Sequence, residues 1–315
     1  MVSETLTLEP SDTFVETPAT RDLLTRALTY LACGYAVNFS GPAGTGKTTL
    51  ALHTAHALDR PTSMLIGDEE MTSLSMVGGY LGIRHRRIDD NYIRSVRKVQ
   101  DEYRELWVDN RLTVACQEGY TLVYDEFTRS RPETNNVLLS VLEERILHVP
   151  VERGGPERYL PVHPDFHLIL TSNPDEYAGV FQTADALRDR LITISLTRPD
   201  IATELAIVRA KSGLAPEPTE AIVRLVRTLS EDSQLGIRLS LRNGIMLARI
   251  TRHLELEPDP GNPHWLEIAL DVLSPSPERR DQVVAAIGKV GSAAVGPKPG
   301  RSRAARRQRP DDGAR

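Results

Sequence analysis

The chain is 315 residues long, 40% apolar and 26% charged, ordinary values for a soluble globular protein of one large or two medium domains. No apolar run is long enough to span a bilayer, and Met1-Val-Ser-Glu-Thr5 has neither a basic region nor an apolar core. These features exclude a membrane span and predict a cytoplasmic protein without a secretion signal. The net charge of −5 is uneven: residues 298–315 carry seven basic and two acidic side chains, which leaves −10 for the rest.

Residues 1–20 read as an extended N-terminal extension, and residues 22–33 as a helix with Leu24, Ala27, Leu28 and Leu31 on one face. Tyr35-Ala-Val-Asn-Phe-Ser40 reads as a buried strand. It runs into Gly41-Pro42-Ala43-Gly44-Thr45-Gly46-Lys47-Thr48, a complete G-x-x-x-x-G-K-[ST] phosphate loop, and a helix follows over residues 48–58. The glycines permit a tight turn around a phosphate chain, and the amides at the helix start point at the anion. Lys47 is placed to neutralise the β- and γ-phosphates, and the Thr48 hydroxyl to hold Mg²⁺. These loop residues, with Thr49 in the first helical turn, are the candidate nucleotide contacts. The strand-loop-helix setting makes the match much more specific than the pattern alone.

Thr62-Ser-Met-Leu-Ile66 reads as a short buried strand. Residues 68–82, rich in glycine and polar side chains, read as a projecting insertion, and Val96, Val99, Tyr103 and Leu106 mark an amphipathic helix. Tyr120-Thr-Leu-Val-Tyr-Asp125-Glu126 is an apolar strand ending in two carboxylates. Asp125 is placed to reach Mg²⁺ through water, and Glu126 to polarise the water that attacks the γ-phosphate. An acidic turn after a strand is common by itself. After a complete phosphate loop at domain-scale distance, it argues for ATP hydrolysis rather than phosphoryl transfer to a small molecule.

Pro132 starts a further helix with Leu138, Val141 and Leu142 inward, and residues 147–162 form a β-hairpin around the turn signal Glu152-Arg-Gly-Gly-Pro156. Residues 166–173 and 191–196 are the last two core strands. Strands alternating with helices imply an α/β fold, a parallel sheet with helices on both faces. Asn173 ends one of these strands outside the sheet's carboxyl edge, where its amide lies near the γ-phosphate. A turn-forming Asn before Pro174 is the plainer alternative. Arg188 and Arg190 precede the last strand; each is either a local ion-pairing residue or an arginine that completes a neighbouring subunit's site.

The composition changes at Arg198-Pro199-Asp200. Four helices follow, marked by Ile201, Leu205 and Val208, by Ile222, Leu225, Val226 and Leu229, by Leu241, Ile245 and Ala248, and by residues 265–273. They make a separate helical lid domain over residues 199–290, after a nucleotide-binding domain over 21–198. Arg242 is placed to reach from this lid to the nucleotide; Arg238 and Arg249 read as surface charges. The basic stretch 291–315 lacks apolar periodicity and reads as disordered, and nucleic-acid binding rests on it alone. Cys33 and Cys116 lie far apart without metal-ligand spacing and read as reduced core thiols.

The phosphate loop, Asp125-Glu126, Asn173, an arginine before the last strand and Arg242 in a helical lid together resemble an AAA+ ATPase. That family has a P-loop core with a parallel five-stranded sheet and a small all-α lid. The insertion at 68–82 and the hairpin at 147–162 resemble the MoxR branch, close to the CbbQ/NorQ activators. Three runs are similar to the gas vesicle protein N family: Trp107-Val-Asp-Asn-Arg-Leu-Thr-Val-Ala-Cys-Gln-Glu-Gly119, Leu122-Val-Tyr-Asp-Glu-Phe-Thr-Arg-Ser-Arg-Pro132 and Asn136-Val-Leu-Leu-Ser-Val-Leu-Glu-Glu-Arg-Ile-Leu147. The resemblance covers residues 15 to 290. It implies a cytoplasmic ATPase needed to form gas vesicles, hollow protein shells that give buoyancy. Its cofactors are ATP and Mg²⁺, its partners are other gas vesicle proteins, and it assembles as a homo-oligomer, a hexameric ring, without membrane attachment. Arg190-Leu191 stands where many relatives have Arg-Phe, which bears only on the choice between Arg188 and Arg190. A metalloenzyme activator and a nucleotide-gated structural component of the shell are the alternative functions.

Overall fold

The structure, a computed structural model, describes residues 14–93, 96–149, 158–174, 181, 183–274 and 276–294. The chain divides into two compact units, residues 1–211 and 212–315. The first unit begins with α1 (Pro18–Ala32), β1 (Ala36–Ser40), α2 (Lys47–Ala57), β2 (Thr62–Ile66), α3 (Ser73–Val77), β3 (Gly78–Ile93), β4 (Val96–Asp109), α4 (Arg111–Glu118) and β5 (Thr121–Asp125). It continues through α5 (Pro132–Asn135), α6 (Val137–Glu143), β6 (Ile146–Val149), β7 (Arg158–Pro161), β8 (His167–Ser172), α7 (Asp185–Arg188), β9 (Leu191–Ser195) and α8 (Ile201–Ser212). The second unit holds α9 (Pro216–Glu231), α10 (Leu241–His253), α11 (Pro263–Leu273) and α12 (Arg280–Ala294).

Five strands form one parallel sheet in the order β2-β5-β8-β1-β9. Alternation along each strand sends side chains to two cores. Val37, Phe39, Val123 and Ile169 pack with Ala27 and Leu31 of α1 and Leu50, Ala51 and Ala55 of α2. Leu122, Tyr124, Leu168 and Leu170 face the other way, against Met76, Leu112, Cys116, Leu138 and Val141. The register sets Ser40 level with Ser172, Tyr124 with Leu170 and Ile66 with Asp125, so the carboxyl ends of four strands share one rim.

Local signals explain where the flanking helices begin. Thr17 caps α1 in a reciprocal capping box with Thr20, with Pro18 in the first turn, so the helix starts four residues before the expected Asp22. Gly119, at φ 71°, closes α4 in the left-handed conformation. β6 and β7 pair antiparallel as the expected hairpin, with Leu147 opposite Leu160; its turn signal at 152–156 lies outside the described residues.

One expectation is corrected. Val96, Val99, Tyr103 and Leu106 belong to no helix: they lie in β4, which pairs antiparallel with β3 from Gly78↔Asp109 to Ile93↔Val96. Spacings of three and four residues satisfy a helical template locally, but the paired partner contributes β-branched Ile83, Ile88 and Ile93. The insertion, expected over 68–82, therefore runs on to Asp109: the short helix α3, capped by Thr72 and Ser75, is followed by a long two-stranded arm.

The helical unit is built on its own core. Trp265 is buried, and its Nε1 donates to Thr251 Oγ1 at 3.1 Å. Ser240 and Asn243 form the capping box of α10, and Asn243 Nδ2 donates to Val272 O at 3.1 Å. Val283 and Ile287 of α12 are fully buried, so this helix, not anticipated, belongs to the fold. Of the basic stretch 291–315, residues 291–294 form the end of α12, where disorder was expected, and residues 295–315 lie outside the described residues. Among the described residues, no helix is long and apolar enough to cross a membrane.

Candidate active site

The phosphate loop joins β1 to α2, and Gly46 occupies the N-cap of α2 at φ 88°, a left-handed conformation that favours glycine. No side chain caps this helix, which leaves its first amides facing the loop. Lys47 is buried, and its ammonium donates to Gly41 O at 2.8 Å and to Pro42 O at 2.9 Å. These bonds hold the cation inside the loop, where it can meet a phosphate chain. Thr45 Oγ1 donates to Pro42 O at 2.9 Å and braces the same turn.

Across the rim, Thr48 Oγ1 lies 2.8 Å from Asp125 Oδ1 and 3.0 Å from Oδ2. A threonine hydroxyl has one proton to give and two lone pairs, so its lone pairs stay open while the proton points at the carboxylate. This hydroxyl and carboxylate form an oxygen pair suited to a hard divalent cation whose other ligands are phosphate and water. Asp125 also accepts from Thr171 Oγ1 at 2.5 Å. Thr171 Oγ1 in turn accepts from the Glu126 amide at 2.9 Å.

Glu126 adopts φ 53°, ψ 40°, a left-handed conformation unusual for a residue with a side chain. Such backbone strain concentrates at functional sites. Gly67, following β2, donates its amide to Asp125 O at 2.8 Å, and a Cβ there would stand 2.1 Å from Glu126 O. The Glu126 carboxylate is paired with Arg129, Oε2 to Nε at 3.0 Å. Behind this rim, the Tyr124 hydroxyl lies 2.7 Å from Ser130 Oγ and 3.0 Å from Asn135 Oδ1, and burial pushes its pKa up to about 12.

The structure brings Lys47, Thr48, Asp125 and Glu126 to one rim. Asn173 is buried at the same rim, directly after Ser172, whose carbonyl accepts from the Gly41 amide at 3.2 Å. Arg188 and Arg190 are elsewhere. Leu191 is level with Ala36 at the opposite end of the sheet, about 16 Å from the loop at about 3.3 Å per strand residue. Arg190 Nε donates to Glu143 Oε2 at 3.0 Å, and Arg188 pairs with Asp185. Neither arginine can serve its own chain's loop. Arg242 is exposed in the first turn of α10, in the other unit. Sequence reasoning missed Thr171, Arg129 and Gly67. The one available signal was the hydroxyl of Thr171 directly after the apolar run Leu168-Ile-Leu170.

The fold and site define a P-loop ATPase of the AAA+ class. The family model for the AAA domain of the dynein-related subfamily matches residues 37–191. A solved RuvB mutant from Thermotoga maritima shares the fold, with a TM-score of 0.52 at 16% identity over 84% of this chain and 73% of that one. Among curated relatives, the gas vesicle ATPase GvpN of Ancylobacter aquaticus is 46% identical over 268 residues, 85% of this chain and 75% of the relative. That of Haloferax mediterranei is 44% identical over 282 residues, 87% of this chain and 80% of the relative. The chain belongs to the gas vesicle ATPase GvpN family and is an ATP hydrolase.

Proposed function

We propose that this ATPase drives assembly or growth of the gas vesicle shell through Mg²⁺-dependent hydrolysis at the rim formed by the phosphate loop, β5 and β8. The observation that carries the reading is the contact of Thr48 with Asp125, which joins the phosphate loop to a strand 77 residues away. Mg²⁺ fits this pair of oxygens, with Thr48 and Asp125 as its holders, and when bound it neutralises charge developing on the phosphates. The loop from Gly41 to Gly46, with Thr49, binds the phosphate chain, and Lys47 offsets the charge of its terminal groups. Glu126 takes a proton from the attacking water, and Asn173 orients that water.

Copies of the chain assemble as a ring, a hexamer, in which Arg190, or Arg188, of one subunit reaches the γ-phosphate in the next. The distance of these residues from their own loop supports a role between subunits. Arg242 contacts the nucleotide from the helical unit. Other gas vesicle proteins are the partners, and the site of action is the cytoplasm or the growing vesicle.

Electron microscopy of three strains tests this function: a deletion, the deletion carrying Glu126→Gln, and the deletion carrying the wild-type chain. Normal vesicles are expected only with the wild-type chain. Normal vesicles in the deletion strain would end the gas vesicle assignment. Normal vesicles with Glu126→Gln would show that hydrolysis is not what the shell requires.

A further inference from the structure

We infer that Thr171 is a positioning residue for hydrolysis: its single hydroxyl sets both acidic residues of the site at once. The inference rests on the roles proposed for Asp125 and Glu126.

Thr171 lies on the central strand β8 and is fully buried. The register pairs Tyr124 with Leu170, which places Asp125 beside Thr171 on the face of the sheet that α2 covers. A hydroxyl has one proton, and here it goes to Asp125 Oδ1 at 2.5 Å. A lone pair of the same oxygen accepts the Glu126 amide proton at 2.9 Å. Thr48 approaches the same Oδ1 from α2.

Each bond has a separate consequence. The bond to Oδ1 fixes the rotation of the Asp125 carboxylate, and so the direction in which it meets Thr48 and a cation. The bond from the Glu126 amide fixes the peptide entering a left-handed residue, and so the direction in which the Glu126 side chain leaves the backbone. Without the hydroxyl, one carboxylate oxygen loses a donor, and a partly buried amide at a strained turn loses its acceptor. Neither loss touches Lys47, whose bonds go to Gly41 and Pro42, or the backbone from Gly41 to Gly46. The signature is therefore a loss of turnover and a weaker response to Mg²⁺, with metal-free nucleotide binding preserved.

The test compares Thr171→Val, which keeps the shape and removes the hydroxyl, with Thr171→Ser, which keeps the hydroxyl, in the full-length chain. Two properties are measured: steady-state ATP hydrolysis, and binding of a fluorescent ATP analogue across a Mg²⁺ titration. Thr171→Val is expected to lower kcat about 10- to 100-fold, the scale of a buried hydrogen bond to a charged group. It should also raise the Mg²⁺ concentration that half-saturates the analogue's metal-dependent binding, and leave affinity without Mg²⁺ unchanged. Thr171→Ser is expected to restore both quantities. Thr171→Ala provides the same readouts where Thr171→Val yields no folded protein.

Wild-type kcat and Mg²⁺ response in the hydroxyl-free variant, alongside an inactive Glu126→Gln control, would overturn the inference and leave the site assignment standing. Equal losses in Thr171→Ser and Thr171→Val would also overturn it, because packing and not the hydroxyl would then matter. An active Glu126→Gln control would instead overturn the assignment on which the inference rests.

Discussion

The carboxylate of Glu126 and the guanidinium of Arg129, three residues on, are joined at 3.0 Å within one tight turn after β5. The proposed general base is therefore held by its own chain in this state. Both side chains are close to half exposed, 40% for Glu126 and 45% for Arg129, and pairs of this kind contribute about 0–1 kcal/mol. Releasing the base costs little. Arg129→Ala is expected to change the free energy of unfolding by less than about 1 kcal/mol and to retain turnover. Denaturant unfolding and steady-state kinetics check both points. A loss as complete as that of Glu126→Gln would place Arg129 in the chemistry itself.

Gly67 touches the same turn from β2. A Cβ at this position would stand 2.1 Å from Glu126 O and 2.8 Å from Glu126 C, and backbone atoms cannot swing aside as a flexible side chain does. Gly67→Ala is expected to destabilise the protein by about 1–3 kcal/mol, the usual scale of overpacking. It should lower kcat more than it weakens ATP binding, since the displaced group is Glu126 and not the loop. Equal loss in kcat and affinity would argue against that geometry.

Arg190 sits at the far end of the sheet from its own phosphate loop, tied to Glu143 on α6. Arg190→Ala is expected to abolish turnover with ATP affinity nearly intact, and Arg188→Ala to do less. Mixing Arg190→Ala with Glu126→Gln protein checks the arrangement, because a subunit with an intact Glu126 then meets a neighbour with an intact Arg190. Activity is expected to reappear. Mixed assemblies without activity would contradict a site shared between subunits.

Burial raises two acids in the first unit, Cys116 and Tyr124, each to about 12. The unfolded chain releases these protons first, near pH 8.5 for the thiol and 10 for the phenol. The unfolded state then holds fewer protons than the native one, so stability falls as pH rises from about 8.5 towards 12. Burial lowers His167, which has the opposite consequence: stability falls as pH drops below about 6.5. Denaturant midpoints across pH measure both limbs. Thiol labelling adds a local check. Cys33 is exposed, contrary to the expectation of a core thiol, and should react in the native protein; Cys116 is buried and should react only on unfolding.

Much of the first unit was legible because its signals are local. An apolar run flanked by glycine, proline or charged residues marks β1, β5, β8 and β9, and the phosphate loop announces the turn into α2. Elements that depend on distant partners were not. Val96 to Leu106 looks helical until β3 is known to pair with it. Gly288 and Gly291 dilute the helical signal of α12, whose Val283 and Ile287 are explained only by the core they fill. The site divides in the same way. Lys47, Thr48, Asp125 and Glu126 could be named from motifs. Thr171 could not, because its hydroxyl gains meaning only when the register sets β8 beside β5.

The most direct measurement of the central claim is a paired one on Glu126→Gln: ATP affinity by fluorescent-analogue titration, and phosphate release with saturating Mg²⁺ and ATP. The site as described predicts near wild-type binding with turnover reduced at least 100-fold, on the scale at which general-base contributions fall. Phosphate release at the wild-type rate from the same protein would contradict it.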